Sequence, residues 1–256
     1  MPFLSTTAAA LALLYAGSDE QRAEWLPGLA SGERRGTVGI VRNGSAELVP
    51  DAGGADAIVL LDGDRATLVT SAEGVEQLDT IDSSRRFFRV PANGGEELPG
   101  DPAPALDRIA AALAAELTGV AQRAMEMAVE YARDRKQFDR PIGAYQAVSH
   151  RCAEMLLQVE GARSASYYAG WTADAEPETL PLAASMAKAW ASDAGWRVTA
   201  DSLQVHGGIG FTWEHDLHFF LKRAKVDGIL YGSAREHRER VAELSGLGAA
   251  EPAAAA

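Results

Sequence analysis

Apolar residues recur at steps of three and four along much of the chain, which is the spacing of one face of an α-helix. The stripes predict three long helices, at about residues 106–135, 144–171 and 180–205. Two shorter helices are expected after residues 213 and 229. Such stripes usually form a core, so their methionine and tryptophan residues need no ligand to explain them. The second half of the chain is therefore predicted to be a helical bundle.

The chain begins with two shorter helical patterns. Residues 6–16 are apolar and rich in alanine, and Ser18 followed by Gln21 three positions later is typical of a capping box at the start of a second helix. We expect Pro27 and Gly28 to end that helix, because proline lacks a backbone donor and glycine favours non-helical conformations.

Between these helices and the bundle the pattern changes to short runs rich in β-branched and aromatic residues. Four runs, TVGIV, AIVLL, ATLVT and RFFRV, extend from Thr37 to about Arg89 and are separated by turn residues such as Asp-Gly-Asp. They predict a small antiparallel β unit. Residues 91–104 are rich in proline and glycine and are interpreted as a linker.

Composition excludes several classes of function. With 47% hydrophobic and 23% charged residues the chain is a folded globular protein, and its net charge of −12 disfavours binding to nucleic acid or to an anionic membrane surface. The single cysteine, Cys152, excludes an internal disulfide and fits a reducing cytoplasm. The apolar first segment has no preceding basic residues, so a packed helix is favoured over a signal peptide. We expect a cytoplasmic protein.

Two segments contain residues that helix packing does not require. RDRKQFDRPIGAYQ (133–146) gathers four cationic side chains around a turn, where a diphosphate could bind, and QVHGGIGFTWEHD (204–216) contains glycines that let a ligand approach the backbone. Each also has a structural explanation, since basic residues complement a helix C-terminus and Gly-Gly is a common helix end. His215 and His218 lack further ligands at metal-binding spacing, and no metal site is expected; helix polar-face or interface positions suffice for the five histidines.

Together the two segments resemble motifs of the acyl-CoA dehydrogenase family, R-x-x-F-x-x-P-I-x-x-x-Q and Q-x-x-G-G-x-G-F, in its C-terminal helical domain. The resemblance extends over nearly the whole chain. It implies an oxidoreductase that binds FAD and acts on acyl-CoA thioesters in fatty acid or lipid metabolism. In that family the ADP half of FAD is held by the neighbouring subunit, and the matching residues here are Arg135, Phe138, Gln204, Gly207 and Gly208.

The resemblance breaks at the catalytic base. Family members carry a glutamate either in the final loop, where this chain has Tyr231, or early in the first bundle helix, where it has Ile109. No catalytic residue is therefore assigned with confidence, and Glu116 and Asp227 are the carboxylates that could replace the missing one. The family's flavin-facing stretch T-E-P-x-x-G-S in the β domain is also lost, apart from Gly44 and Ser45.

The expected fold is α+β, mainly α, with a C-terminal helical bundle preceded by a small antiparallel β domain and a remnant of an N-terminal helical domain. The predicted domains are a helical remnant, the β domain, the bundle with the FAD contacts and a disordered tail, at residues 1–36, 37–100, 101–246 and 247–256.

Three functional hypotheses follow. The first is a subunit without its own glutamate that completes a FAD site with a homologous partner, in a heterodimer or heterotetramer, or otherwise in a homo-oligomer. The second is a non-catalytic structural or binding remnant, or a mis-started gene product. The third is an active dehydrogenase with an unrecognised base. The family resemblance further implies an electron-transfer flavoprotein as redox partner.

Overall fold

The structure is a computed structural model that describes residues 3–71 and 73–247. Its internal contacts divide the chain into two compact units, with the boundary in sequence between Ile109 and Ala110. The predicted division into four domains stays a prediction, and the expected tail lies outside the described residues from position 248 onward.

The first unit contains two helices and a seven-stranded sheet. The helices and strands, in chain order, are α1 Phe3–Ala16, α2 Asp19–Ser31, β1 Gly36–Arg42, β2 Ser45–Pro50, β3 Ala57–Asp62, β4 Arg65–Val69, β5 Glu76–Leu78, β6 Phe87–Pro91 and β7 Glu96–Leu98. The order of strands across the sheet is β5-β6-β2-β1-β3-β4-β7. Helix α1 packs against β1, and its buried positions are mostly alanines, which allow a close approach.

Helix α2 starts as predicted and ends later than predicted. The capping box is present, since Gln21 N donates to Ser18 Oγ at 3.2 Å and Ser18 N donates to Gln21 Oε1 at 2.8 Å. The expectation that Pro27 ends the helix is wrong, because α2 continues to Ser31 and stops at Gly32, which has φ 80°. Proline removes a single backbone donor, and the caps at both ends stabilise the helix around it.

The sheet is mainly antiparallel, as predicted, and it contains one parallel pair of strands that the sequence did not indicate. Strands β1 and β3 are parallel, whereas every other neighbouring pair is antiparallel. After β1 the chain turns at Asn43 and Gly44, both with positive φ, and β2 runs back beside it. The chain then returns so that β3 runs beside the other edge of β1. Gly44 and Ser45, which match the end of the family's T-E-P-x-x-G-S stretch, therefore belong to the hairpin between β1 and β2.

Three strands were not predicted, namely β2, β5 and β7. Strand β7 lies within the predicted linker and pairs with β4, with Leu98 buried. Its sequence, Glu-Glu-Leu, contains one apolar residue, and three residues are too few for an alternating pattern to be recognised.

The second unit is a helical bundle, as predicted. Its helices are α3 Ala103–Asp134, whose first turns belong to the first unit, α4 Gln146–Ala175, α5 Leu180–His206, α6 Leu217–Asp227 and α7 Ala234–Leu244. Helix α5 is the most deeply buried, and it packs against α4, α6 and α7. A short hairpin, missed in the sequence, joins α3 to α4 through β8 Lys136–Gln137 and β9 Arg140–Pro141.

In the described ranges, none of the helices combines the length and apolar character needed to cross a lipid bilayer. Within the same residues, histidine, cysteine, aspartate and glutamate side chains form no group of three or more that could hold a metal ion.

Candidate functional site

The hairpin after α3 holds an aromatic side chain away from the bundle. Its two turn residues, Phe138 and Asp139, have φ values of 53° and 66°. Positive φ at both positions is the type I′ geometry that asparagine and glycine usually supply, so a phenylalanine there is strained. The Phe138 side chain is 87% exposed. The hairpin therefore presents this ring to its surroundings at a conformational cost.

Backbone and ring contacts fix the hairpin on the bundle. The amide of Ile142 donates to the carbonyl of Arg135 at 2.8 Å, and the Tyr145 hydroxyl donates to the carbonyl of Gln137 at 3.1 Å. The guanidinium carbon of Arg140 lies 4.0 Å from the centre of the Tyr145 ring. Arg140 is thereby held by a cation–π contact, and the position of Arg135 is set by the backbone.

A cavity of about 500 Å³ joins the two sequence motifs. Its walls come from the end of α3, the hairpin and the end of α5, and its residues are Tyr131, Arg135, Gln137, Ile142, Val205, His206, Gly208 and Ile209. Among the described residues, no carboxylate oxygen lies within 4.0 Å of the Arg135 guanidinium. Its donors are available to an anion, for which the planar fork of arginine is well suited.

The glycines of the second motif have different roles. Gly207 ends α5 with φ 63°, a conformation that glycine adopts most easily. A Cβ at Gly210 would lie 3.1 Å from the Cβ of His206, so packing explains this residue. At Gly208 a Cβ would meet no atom within 4 Å, and φ is not positive. Packing within the chain therefore does not require glycine at 208, whereas a ligand close to the backbone would.

The cavity brings together only part of the predicted set. Arg135 and Gly208 line it, and Gly207 adjoins Gly208 in sequence; Phe138 and Gln204 are exposed and are not among the lining residues. The roles of these five residues as cofactor contacts stay predictions.

Six of the eight lining residues were not in the predicted set, and two of these six, Tyr131 and His206, contact each other. Tyr131 was assigned to the core stripe of its helix, and His206 to a polar face or an interface. The assignment is wrong for His206, which is 4% exposed, and His218 and His237 are also buried. The rings of Tyr131 and His206 stack with centroids 4.6 Å apart. The stripe that contains Tyr131 was visible in the sequence, but the stacking depends on tertiary structure.

The ends of α6 and α7 enclose the loop that carries Tyr231. The Lys188 ammonium is buried and donates to the carbonyls of Gly232 at 2.9 Å and Gly228 at 3.4 Å, and to Ser192 Oγ at 3.1 Å. Burial lowers the pKa of Lys188 to about 8, although the negative charge of Asp227 acts in the opposite direction. The Lys188 ammonium thus binds backbone carbonyls on both sides of Tyr231.

His237 holds the same loop from the α7 side. Its Nε2–H donates to the carbonyl of Tyr231 at 3.1 Å, and Tyr231 itself has φ 54°. Burial and the nearby charge of Lys188 lower the pKa of His237 to about 4. The imidazole is therefore neutral near pH 7, and its contact with the loop is a hydrogen bond rather than an ion pair.

The carboxylates considered as replacements for the missing glutamate are engaged inside the bundle. Glu116 Oε1 accepts from Arg223 Nη1 at 2.7 Å, with both side chains about three-quarters buried. Asp227 has no solvent exposure and interacts electrostatically with Lys188. Ile109 and Ala110, at the alternative glutamate region, are buried aliphatic residues. Glu116 and Asp227 thus each interact with a cationic side chain, and Ile109 and Ala110 carry no group that could accept a proton.

Residues 104–245 match the family described as acyl-CoA dehydrogenase, C-terminal domain. Acyl-CoA dehydrogenase IpdE2 of Mycobacterium tuberculosis is 37% identical over 94% of this chain and 71% of that protein. The ChsE4-ChsE5 complex of the same organism has a TM-score of 0.85 at 26% identity, over 99% of this chain and 77% of that one. A variant of the Tcur3481-Tcur3483 steroid ACAD has a TM-score of 0.85 at 28% identity. The match covers 98% of this chain and 78% of that one.

Proposed function

The chain belongs to the acyl-CoA dehydrogenase family, and we propose that it is a subunit of a heteromeric, FAD-dependent enzyme whose catalytic base lies in a partner subunit. The observation that carries this proposal is the cavity that joins Arg135 to Gly208. Bound FAD would supply the hydride acceptor for oxidation of a carbon–carbon bond in an acyl-CoA thioester.

The cavity suits the ADP half of FAD. Arg135 offers charge-assisted hydrogen bonds to a diphosphate, and Gly208 leaves room for a phosphate or a sugar beside the backbone. We assign the exposed Phe138 and Gln204 to the portion of the ligand that extends beyond the cavity, with the Phe138 ring available to stack on adenine. Gly207 turns the chain at the end of α5 so that Gly208 can line the cavity.

Two observations support the proposal that this chain lacks its own catalytic base: Tyr231 occupies the glutamate position, and Glu116 and Asp227 interact with cationic side chains. A phenol with a pKa of about 10 is a poor base at neutral pH. Glu116 is paired with Arg223, and Asp227 is sealed beside Lys188. Among the solved relatives, ChsE4-ChsE5 is a complex, and the Tcur3481-Tcur3483 enzyme is likewise named for two components. An electron-transfer flavoprotein as redox partner stays a prediction from the family.

Expression of the chain alone and with candidate partners tests the proposal. Alone, the chain should purify without the visible absorption of oxidised flavin; with a full-length acyl-CoA dehydrogenase subunit from the same genome, the complex should retain flavin and oxidise acyl-CoA. Stoichiometric flavin and turnover in the isolated chain would contradict partner dependence. A folded chain that forms no flavin-containing complex would favour the non-catalytic hypothesis.

Arg135→Ala tests the cavity itself. Loss of this charge-assisted contact should weaken retention of flavin in the complex by about 2–4 kcal/mol, measured as the FAD dissociation constant after removal and re-addition of the cofactor. The matched control is Arg133→Ala, because Arg133 lines a separate cavity of about 310 Å³ with Cys152 and Ser149. Equal losses in both variants would mean that the turn contributes only its charge.

A further inference from the structure

His206 lines the cavity, and one of its ring nitrogens has no hydrogen-bond partner among the described residues. Its imidazole stacks on Tyr131, and His215 packs against it at a ring separation of 4.5 Å and an angle of 59°. The side chain is 4% exposed yet belongs to the cavity wall.

The contacts define which ring nitrogen carries the proton. Nδ1 lies 2.8 Å from the carbonyl oxygen of Ser202, and because a carbonyl only accepts, Nδ1 must be the donor. In the neutral imidazole Nε2 is then an acceptor, and among the described residues it has no hydrogen-bond partner. Burial is the main cause of a lowered pKa of His206; His215 lowers it further, and the bond to Ser202 opposes both.

We propose that His206 is a further nucleotide-binding residue, whose Nε2 accepts a hydrogen bond from a ribose hydroxyl or from the adenine amino group. This inference rests on the proposed function, since it takes the ADP half of FAD as the ligand. The two polar groups are complementary to such a ligand: Arg135 only donates and meets phosphate oxygens, while Nε2 only accepts and meets the O–H or N–H groups of the nucleoside.

The tautomer makes nucleotide binding sensitive to acid. Protonation places a hydrogen on Nε2 and converts the acceptor into a donor, so affinity should fall as the pH falls through the pKa of His206. The titratable groups around the ring are Tyr131 and Arg135 from α3 and the turn after it, and His215 from the segment before α6. On α5 itself, Asp201 is paired with Arg151.

ADP-ribose is a suitable probe, because it carries adenine, ribose and a diphosphate that does not titrate near neutral pH. We would titrate it calorimetrically into the complex with the partner subunit, after removal of FAD, at about pH 7.5 and about pH 5.5. The affinity of the wild type should fall towards the acidic pH by at most about fivefold, the effect of one lost hydrogen bond. Higher affinity at the acidic pH would overturn the proposal and would indicate an imidazolium–phosphate contact instead.

Three variants separate hydrogen bonding from packing. His206→Phe keeps a ring against Tyr131 without an acceptor, so it should bind about fivefold more weakly at about pH 7.5 and show little pH dependence. His206→Gln offers an acceptor that does not titrate, so it should stay within about twofold of the wild type with a flat pH profile. His150→Gln replaces an exposed histidine on α4 and should behave as the wild type. Wild-type behaviour of His206→Phe would overturn the proposal.

Arg135→Ala distinguishes failure of this inference from failure of the proposed function. If ADP-ribose does not bind to the wild-type complex, or if the Arg135→Ala complex binds it equally well, the cavity is not the nucleotide site and both proposals fall. If Arg135→Ala weakens binding and His206→Phe does not, only the role of His206 falls. Inosine diphosphate ribose, which lacks the amino group, identifies the donor: a fivefold loss assigns adenine, and unchanged affinity assigns a ribose hydroxyl.

Discussion

Two places in the helical unit are built at helix ends, and they differ in what their polar groups do. At the end of α5, Arg135 and His206 line a cavity, and neither the Arg135 guanidinium nor the Nε2 atom of His206 has a hydrogen-bond partner among the described residues. At the end of α6, Lys188 donates to three oxygens and His237 holds the carbonyl of Tyr231. The first arrangement is suited to binding a ligand, whereas the second holds a loop in place.

The largest expected effect is on stability, from Lys188→Met. The substitution leaves Asp227 buried without the neighbouring ammonium and removes the donor from the carbonyls of Gly228 and Gly232. Loss of this buried positive charge and of its three hydrogen bonds should lower the free energy of unfolding by about 3–5 kcal/mol, measured by urea denaturation.

Lys225→Met is the matched control for Lys188. Lys225 is exposed on α6 and lies 4.6 Å from the centre of the Trp196 ring, so its loss should cost less than about 1 kcal/mol. Equal losses in the two variants would show that the loop is not held by Lys188, and the contrast between the two places would disappear.

The next effect is the sensitivity of folding to acid, which we attribute to His237. Its pKa is lowered from 6.5 to about 4 in the folded state, so between these pH values the unfolded chain binds a proton that the folded chain does not. The free energy of unfolding should therefore fall as the pH falls through this window, by roughly 3 kcal/mol in total. Urea denaturation at about pH 7 and about pH 4.5 measures it.

A His237→Gln variant should lose most of this acid dependence, because glutamine does not titrate. The exposed His150 has no comparable environment, and His150→Gln should retain the full dependence. If both variants show the same acid dependence, the acid sensitivity arises from other residues. His237 would then not be the group that holds the Tyr231 loop in place at neutral pH.

Substitution of one glycine at each place should have a smaller effect on stability and tests the difference between the Tyr231 loop and the cavity. At Gly232, φ is 108° and an added Cβ would lie 2.8 Å from His237 Nε2, so Gly232→Ala should destabilise the fold by about 1–3 kcal/mol. At Gly208 an added Cβ meets nothing, so Gly208→Ala should change stability by less than about 0.5 kcal/mol. The same methyl group should weaken FAD binding by the complex at least about tenfold. A stable Gly232→Ala, or a Gly208→Ala with normal FAD affinity, would contradict the assignment.

Helix periodicity predicted much of the fold, and tertiary contacts decided the rest. The stripes of α3, α4 and α5 repeat over many turns, so their signal is strong. The path of α2 through Pro27 depends on its caps, and the parallel pairing of β1 and β3 depends on the course of the chain between them. Such features involve few residues, and no local periodic pattern records them.

The candidate site shows the same division. Arg135 and Gly208 belong to motifs that can be recognised in the sequence, and they line one cavity. His206 precedes a Gly-Gly pair and has the local pattern of a helix end. Its position in the cavity wall depends on Tyr131 and His215, which reach it from other segments. The sequence motifs thus identified Arg135 and Gly208, whereas the position of His206 in the cavity wall could be recognised only from the tertiary structure.

The smallest expected effect concerns Tyr231, which occupies the place of the family's glutamate. The backbone of this residue has φ 54° and its carbonyl accepts a hydrogen bond from His237, and both features are retained in Tyr231→Phe. If the catalytic base lies in the partner, acyl-CoA turnover by the complex should stay within about threefold of the wild type, because a hydroxyl that accepts no proton contributes little to the barrier. A loss of about 10²–10⁴-fold, as expected for removal of a general base, would make Tyr231 catalytic. The loop that carries Tyr231 would then be part of an active site, and the proposal that this chain lacks its own catalytic base would be wrong.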